Sequence, residues 1–484
     1  MNLRHPNQAV RGGRSAERAS VLVIVLLISL GLISIALYFA NSMSLELRAS
    51  DNRTSGLASD QIIEGAARYV SSVLANYATN GAVPDASQYG AEAVPVGNGK
   101  LPEENGRFWL IGRDTNGATG SFLSSEPSFG LIDEASKLDL NAPWLTSDII
   151  SSNLPRMTLD LADAIMDWRD TNGNGASLNY SQLGYLPKHA PFETVGELRL
   201  VYGTTREILV GEDLNQNGAL DSNENKSGLT DPGLFDYFTA YSRQPNAHSD
   251  GTALTNVNDR AGMQTLLEDR LGATRAQTIV ASLFGGGGPG GPGGPGGPGG
   301  PGGGGPGGGG PGGGGATTFA SLLQFYLRAN QFGGMTADDF ALIYNDISAT
   351  NTPFTIGRVN INTAPVAVLA CLPGMDLNSA QQLVNYRLSN PTRLSSIAWI
   401  ADALGSGSPA LQALAQGDYI TTHSYQFTAD IAAVGPFGRG YRRVRFVFDI
   451  SEGTPKIIYR QDLTRLGWAL GRLTRDTWIT RNTR

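Results

Sequence analysis

From Ala19 to Ala40 the chain carries no charged residue. That run is long enough to cross a bilayer as a helix, for which about 20 apolar residues suffice. Beyond it the apolar pattern changes period instead of stopping. Ile62, Ile63, Ala66, Ala67, Val70 and Leu74 recur at helical spacing among polar residues. The spacing predicts one helix over 20–78, apolar all round in its first half and amphipathic in its second. Near the C-terminus the period shortens to two. Phe427, Ala429 and Ile431 share one strand face, as do Val444, Phe446, Phe448 and Ile450, with G-P-F-G-R-G between them as a turn. P-K-I-I-Y-R-Q-D-L reads as a third strand, and R-F-W-L-I-G-R-D and G-L-I-D-E-A-S-K-L-D-L-N as earlier ones. The fold class that follows is α+β: a long N-terminal helix and an antiparallel sheet built from 79–141 and 425–484. A large all-α insertion over 142–424 interrupts it.

The insertion contains a diverged internal repeat. K-L-D-L-N-A-P-W-L, L-T-N-V-N-D-R-A and R-V-N-I-N-T-A-P each present an apolar residue before an asparagine: Leu140/Asn141, Val257/Asn258 and Ile361/Asn362. Each is followed by a helix of small residues, and the asparagines are expected to cap free helical N–H groups. L-P-G-M at Leu372–Met375 resembles a helix-hairpin-helix turn, which gives the insertion a helix-hairpin-helix or SAM-like character. Residues 285–315 are glycine and proline alone. Such a run buries no apolar area to offset its entropy, so it reads as a linker. Glycine at every third position suggests collagen, but the period breaks after Pro301.

Charge and chemistry narrow the function. The net charge is −7, a poor basis for wrapping nucleic acid. One cysteine, Cys371, rules out an intrachain disulfide, and its setting A-V-L-A-C-L-P reads as core. The four histidines are scattered, no nucleophile stands beside a base, and no phosphate-cradling loop occurs. The chain reads as a non-enzyme.

The sharpest local motif is G-E-D-L-N-Q-N-G-A-L-D-S-N-E-N. Asp213, Asn215 and Asn217 take positions one, three and five of a twelve-residue calcium loop. Gly218 sits at six, Ala219 offers its carbonyl at seven, Asp221 is at nine and Glu224 at twelve. The spacing wraps hard oxygens round one Ca2+ ion, against the alternative of a plain Asx-rich surface loop. A weaker candidate opens with Asp170, Asn172 and Asn174 but has Ser181 at position twelve.

The N-terminus supplies the class. Arg4, Arg11, Arg14 and Arg18 precede the apolar run and keep that end cytoplasmic, with the remainder outside. A cleaved secretory signal is usually shorter and ends in an A-x-A-like site, which does not follow closely here; a plain signal anchor is a further reading. A prepilin leader, with the basic segment ahead of the apolar run and the helix continuing into a head, fits better. The segment E-R-A-S-V-L-V-I-V-L-L, with L-D-L-N, D-W-R-D, E-T-V-G-E-L-R-L-V-Y-G and V-N-I-N-T-A-P, resembles the general secretion pathway protein K family, a minor pseudopilin of type II secretion.

The resemblance implies a leader over 1–19 removed by prepilin peptidase between Ala19 and Ser20, although the family's leader usually ends in glycine. It implies an N-methylated mature end, a single pass of the bacterial inner membrane and a periplasmic head. The implied partners are other minor pseudopilins, the major pseudopilin and secreted proteins. It further implies calcium in the head, although G-A-S stands before Tyr180 where the family has G-A-E. The fifth mature residue is then Ile24, where most pilins carry a glutamate. A carboxylate in hydrocarbon is costly unless paired, so its absence suits the subunit at a filament tip. The rival reading is a type IV pilus or competence minor pilin whose helix-hairpin-helix repeats bind DNA.

Overall fold

The leading helix, α1 (Ser15–Ala75), passes from its apolar to its amphipathic half without a break. In this computed structural model, residues 15–114, 126–171, 180–221, 224, 231–285, 318–472 and 474 are described. At about 1.5 Å per residue, α1 is roughly 90 Å long. Its first half is exposed: Val21, Leu26, Leu30 and Phe39 are all at least 60% exposed. Its last turns are buried through the six residues the helical spacing picks out, Ile62 to Leu74.

The surface they meet is a six-stranded sheet. Strands β1 (Val94–Val96), β2 (Gly106–Ile111), β3 (Ile132–Asp133), β4 (Gln426–Val434), β5 (Tyr441–Asp449) and β6 (Lys456–Asp462) pair antiparallel in the order β1-β2-β4-β5-β6, with β3 beside β4. Central β4 comes from the far end of the chain, yet it takes β2 as a neighbour, with Ile431 opposite Leu110. Phe427, Ala429, Ile431, Val444, Phe446 and Phe448 form one core with α1, as their alternation predicts. The opposite face is apolar at one end, where Trp109 and Val434 pack on Ala469 and Leu470, and charged at its centre.

The segment between β3 and β4 is largely helical but not all helix. Among the described residues it contains four two-stranded ladders, and three of these are parallel. Leu138–Asp139 pairs with Phe238–Thr239, Thr255–Asn256 with Ile347–Ser348, and Val359–Asn360 with Ile420–Thr421. Each ladder closes one copy of the repeat. The amide of the apolar residue after each first strand donates across it: Leu140 to Thr239 at 2.8 Å, Val257 to Ser348 at 2.9 Å and Ile361 to Thr421 at 3.0 Å. Strands of two residues have no period to read, which is why the insertion looked all-α in the sequence. The first ladder begins at Leu138, ahead of the boundary placed at 142.

The repeated asparagines do not cap helices as expected. The helices that follow are capped by other residues, Asp259 before Arg260–Leu271 for example. Instead each asparagine reaches distant backbone or a side chain. Asn141 exchanges two bonds with Phe192, at 2.8 and 2.9 Å, and Asn258 two with Phe319, at 2.6 and 3.1 Å. Asn362 donates to Leu394 and accepts from the Trp399 indole. In the outer two copies an arginine from the small-residue helix also satisfies loop carbonyls: Arg169 those of Leu140, Ala142 and Leu145, and Arg387 those of Ile361 and Ala364.

Two residues before each of these asparagines, another side chain accepts the asparagine's own N–H. Asn256 and Asn360 do this in the second and third copies, and Asp139 in the first. Burial pushes the Asp139 carboxyl up to about 7 from its ordinary 3.8. Its folded-state pKa lies above the unfolded one. The stability it contributes is therefore fully present below about pH 4 and is lost as pH rises towards about pH 7. Asp139→Asn, the residue type of the other two copies, should keep the turn and lose that slope, a gain on the order of 2 kcal/mol near neutral pH. Melting of both proteins at acid and neutral pH checks this; an unchanged difference between the two pH values would sink it.

The linker read over 285–315 lies, after Gly285, outside the described residues. So do 1–14 of the leader and 172–179 of the weaker calcium candidate. Cys371 is 1% exposed in the core, and burial pushes its thiol up to about 12.

Candidate functional site

The loop that begins at Asp213 is pinched at its neck. The Glu212 amide donates to the Asp231 carbonyl at 2.9 Å, and Gly211, with φ +64°, lies so close to the backbone at Asp231 that a Cβ would fall 2.2 Å from the same carbonyl. Within the loop Gly218 has φ +78°, the left-handed turn that position six demands.

The six residues fold inward in part. Asp213, 1% exposed, accepts the amides of Asn217 at 3.0 Å and Gly218 at 2.7 Å. Glu224 reaches back across the loop and accepts the amides of Asn215 at 3.1 Å and Asp221 at 3.0 Å. Positions one and twelve thus close the loop through its own backbone. Asp221 is turned towards the Asn215 amide, whose Nδ2 donates to it at 2.7 Å. Asn217 accepts from the Ala219 amide through Oδ1. Among the described residues no three carboxylate, histidine or cysteine side chains converge closely enough to hold a metal by themselves. A cation here would draw on amide and carbonyl oxygens as well.

Two observations fit a hard cation. Burial raises the carboxyls of Asp213 to about 6 and Glu224 to about 7. Carboxylates taken out of water this far need positive charge nearby if they are to stay ionised. Among the described residues, the Oδ1 of Asn215, a residue only 8% exposed, has no hydrogen-bond partner. A buried amide oxygen left unpaired beside two carboxylates is the donor type that calcium takes.

The outside of the loop is held by the charged centre of the sheet. Arg443 on β5, fully buried, donates to the backbone carbonyls of Asn215 and Gln216 and to both carboxylate oxygens of Asp430 on β4, each at 2.8 Å. Arg445 pairs with the same carboxylate, and Arg113 pairs with Asp236 while donating to Gln216. The loop also holds the segment after β6: Asn215 donates to Trp468 and Asn217 to Ala469. It therefore ties the insertion to the sheet and to the C-terminal segment. The arginine–aspartate cluster is a part of the site that motif reading missed. Strand alternation does put Asp430, Arg443 and Arg445 on the face opposite Phe446, but nothing in it says that this face is buried.

The other predicted feature is the stem. Among the described residues one helix is long and apolar enough to cross a membrane, and the span starts at Val21 with none of its most apolar window buried. Ala19 and Ser20 lie within helical α1, and Ile24 is exposed on it.

The family model of type II secretion system protein K matches residues 359–417. That stretch is the third repeat, from its first ladder strand almost to its second. The match supports the resemblance read from the sequence, and with it a role in type II secretion as a structural component. No curated protein matches the chain.

Proposed function

We propose that this chain is a minor pseudopilin at the tip of the type II secretion pseudopilus, where it initiates or caps assembly. The observation that carries this is α1. One helix runs unbroken from an exposed apolar half into six buried positions on the sheet, so that a membrane or filament stem is rigidly joined to a head. In this reading prepilin peptidase cuts between Ala19 and Ser20 and the new terminus is methylated. The stem sits in the inner membrane with its N-terminal end cytoplasmic and the head in the periplasm. It then packs laterally against other minor pseudopilins and the major pseudopilin. Ile24 at mature position five leaves no unpaired carboxylate in hydrocarbon at the end of the filament.

Calcium belongs to the same reading. Asp213, Asn215, Asn217, Ala219, Asp221 and Glu224 would hold the ion, which supplies positive charge to a buried loop. The loop's carbonyls in turn fix the insertion on the sheet. The rival DNA-binding role finds little support. The net charge of −7 argues against it, and in the Leu372–Met375 turn Leu372 and Met375 are buried in the core while Gly374 is exposed.

Mass spectrometry of the chain recovered from secreting cells tests the assignment. The expected product begins at N-methylated Ser20. A working secretion system in which the leader remains attached would overturn it.

A further inference from the structure

A cavity of about 190 Å³ lies between the charged face of the sheet and the first repeat of the insertion. Its sheet side includes Arg445 and Val447 of β5 and Tyr459 of β6, and its opposite wall includes Val195, Phe235 and Tyr241. The rings of Tyr241 and Tyr459 approach to 5.9 Å between centroids. Five cationic and three acidic residues line it, in a chain whose net charge is −7. Three of those cations are already matched: Arg113 to Asp236, Lys137 to Glu134 and Arg445 to Asp430. The other two are not. Arg199 lies over the Phe235 ring at 4.9 Å, and among the described residues neither it nor Arg465 has a carboxylate within ion-pairing distance.

We infer that this cavity is a docking site for an acidic peptide segment of a partner protein, one that carries an aromatic residue beside its carboxylates. The volume is below the roughly 300 Å³ at which small-molecule sites usually begin, and suits one anchoring side chain. Tyrosine and phenylalanine rings at the walls receive the partner's ring edge to face. Arg199 and Arg465, both exposed at the rim, take its carboxylates, for which the guanidinium fork is matched. With Asp462 also in the lining, the two unmatched arginines leave an excess of one positive charge, which favours an acidic segment at short range.

The test uses the full chain in detergent micelles and the capped peptide acetyl-Glu-Phe-Asp-amide, compared with its Gln/Asn counterpart by titration calorimetry. The acidic peptide should bind at least about tenfold more tightly than its neutral counterpart, and more weakly in high salt. Arg465→Glu and Arg199→Glu should each lower its affinity about tenfold, with melting changed little, because both side chains are exposed and Arg199 gives up only its contact with the Phe235 ring. Equal affinity for the two peptides, no binding at about 1 mM, or full binding by the charge-reversed proteins would overturn the proposal. Displacement of the peptide by an equal concentration of inorganic phosphate would overturn it too, since the cavity would then be a site for any anion.

Discussion

Replacing Asp430 with alanine is expected to cost about 3–5 kcal/mol of head stability, the largest loss from any single side chain considered. Asp430 and Arg443 are both 0% exposed, and the carboxylate receives Arg443 and Arg445 through two nitrogens each. Burial alone would raise its carboxyl. The guanidinium charges outweigh that effect and hold it well below the usual carboxylate range. A depressed carboxyl contributes stability that is present above the unfolded pKa, about 3.9, and is lost only as pH falls through the folded value. The pair therefore acts fully at neutral pH.

Without Asp430, the fully buried Arg443 guanidinium is left unpaired near Arg113, and Arg445, 19% exposed, loses its partner. The grip of Arg443 on Asn215 and Gln216 loosens with it, so the insertion and the sheet should separate more easily. The melting midpoint should fall on the order of 10 °C. Asp51→Ala is the control: it breaks the exposed 2.7 Å pair with Arg439, worth at most about 1 kcal/mol. Similar midpoints for the two variants would disprove the account of the cluster.

Removing calcium should have the second largest effect. An ion at about 100 times its dissociation constant stabilises the state that binds it by roughly 2.7 kcal/mol. Chelator should therefore lower the melting point of the head. Glu224→Gln should lower it in calcium but change little in chelator. Glu224 serves two purposes, accepting the amides of Asn215 and Asp221 and bringing a second charge to the loop. Glutamine keeps the first in part and loses the second. Asn215→Ala, which removes the buried unpaired Oδ1, should weaken the calcium response without touching a carboxylate. Identical melting of wild type and Glu224→Gln in calcium would reject the site.

Much of this architecture was legible because it depends on short-range regularity. The α1 burial face follows from helical spacing, and the faces of β4 and β5 follow from alternation. Burying one face of a regular element leaves a periodic trace, and Ile62 to Leu74 and Phe427 to Ile450 carry it. The motif from Asp213 to Glu224 was visible for a related reason. Its residues come from one continuous segment, so their spacing is fixed along the chain. The repeat was visible in Leu140/Asn141, Val257/Asn258 and Ile361/Asn362, but the work of those asparagines was not. Their partners Phe192, Phe319 and Leu394 lie at differing separations, and a helix cap was the nearest local alternative.

The amino-acid order by itself determined the apolar stem, the amphipathic seam, the strand faces and the spacing of polar residues along the loop. Each is set within a few turns of helix or a few residues of strand. The tertiary structure alone decided that β4 sits between β2 and β5, that each repeat closes through a two-residue parallel ladder, and that Arg443 braces the loop from a strand more than two hundred residues away. Those outcomes depend on which buried charges and carbonyls find partners once the surfaces meet. A buried charge can be paired by any complementary group that folding brings near, and spacing along the chain does not say which.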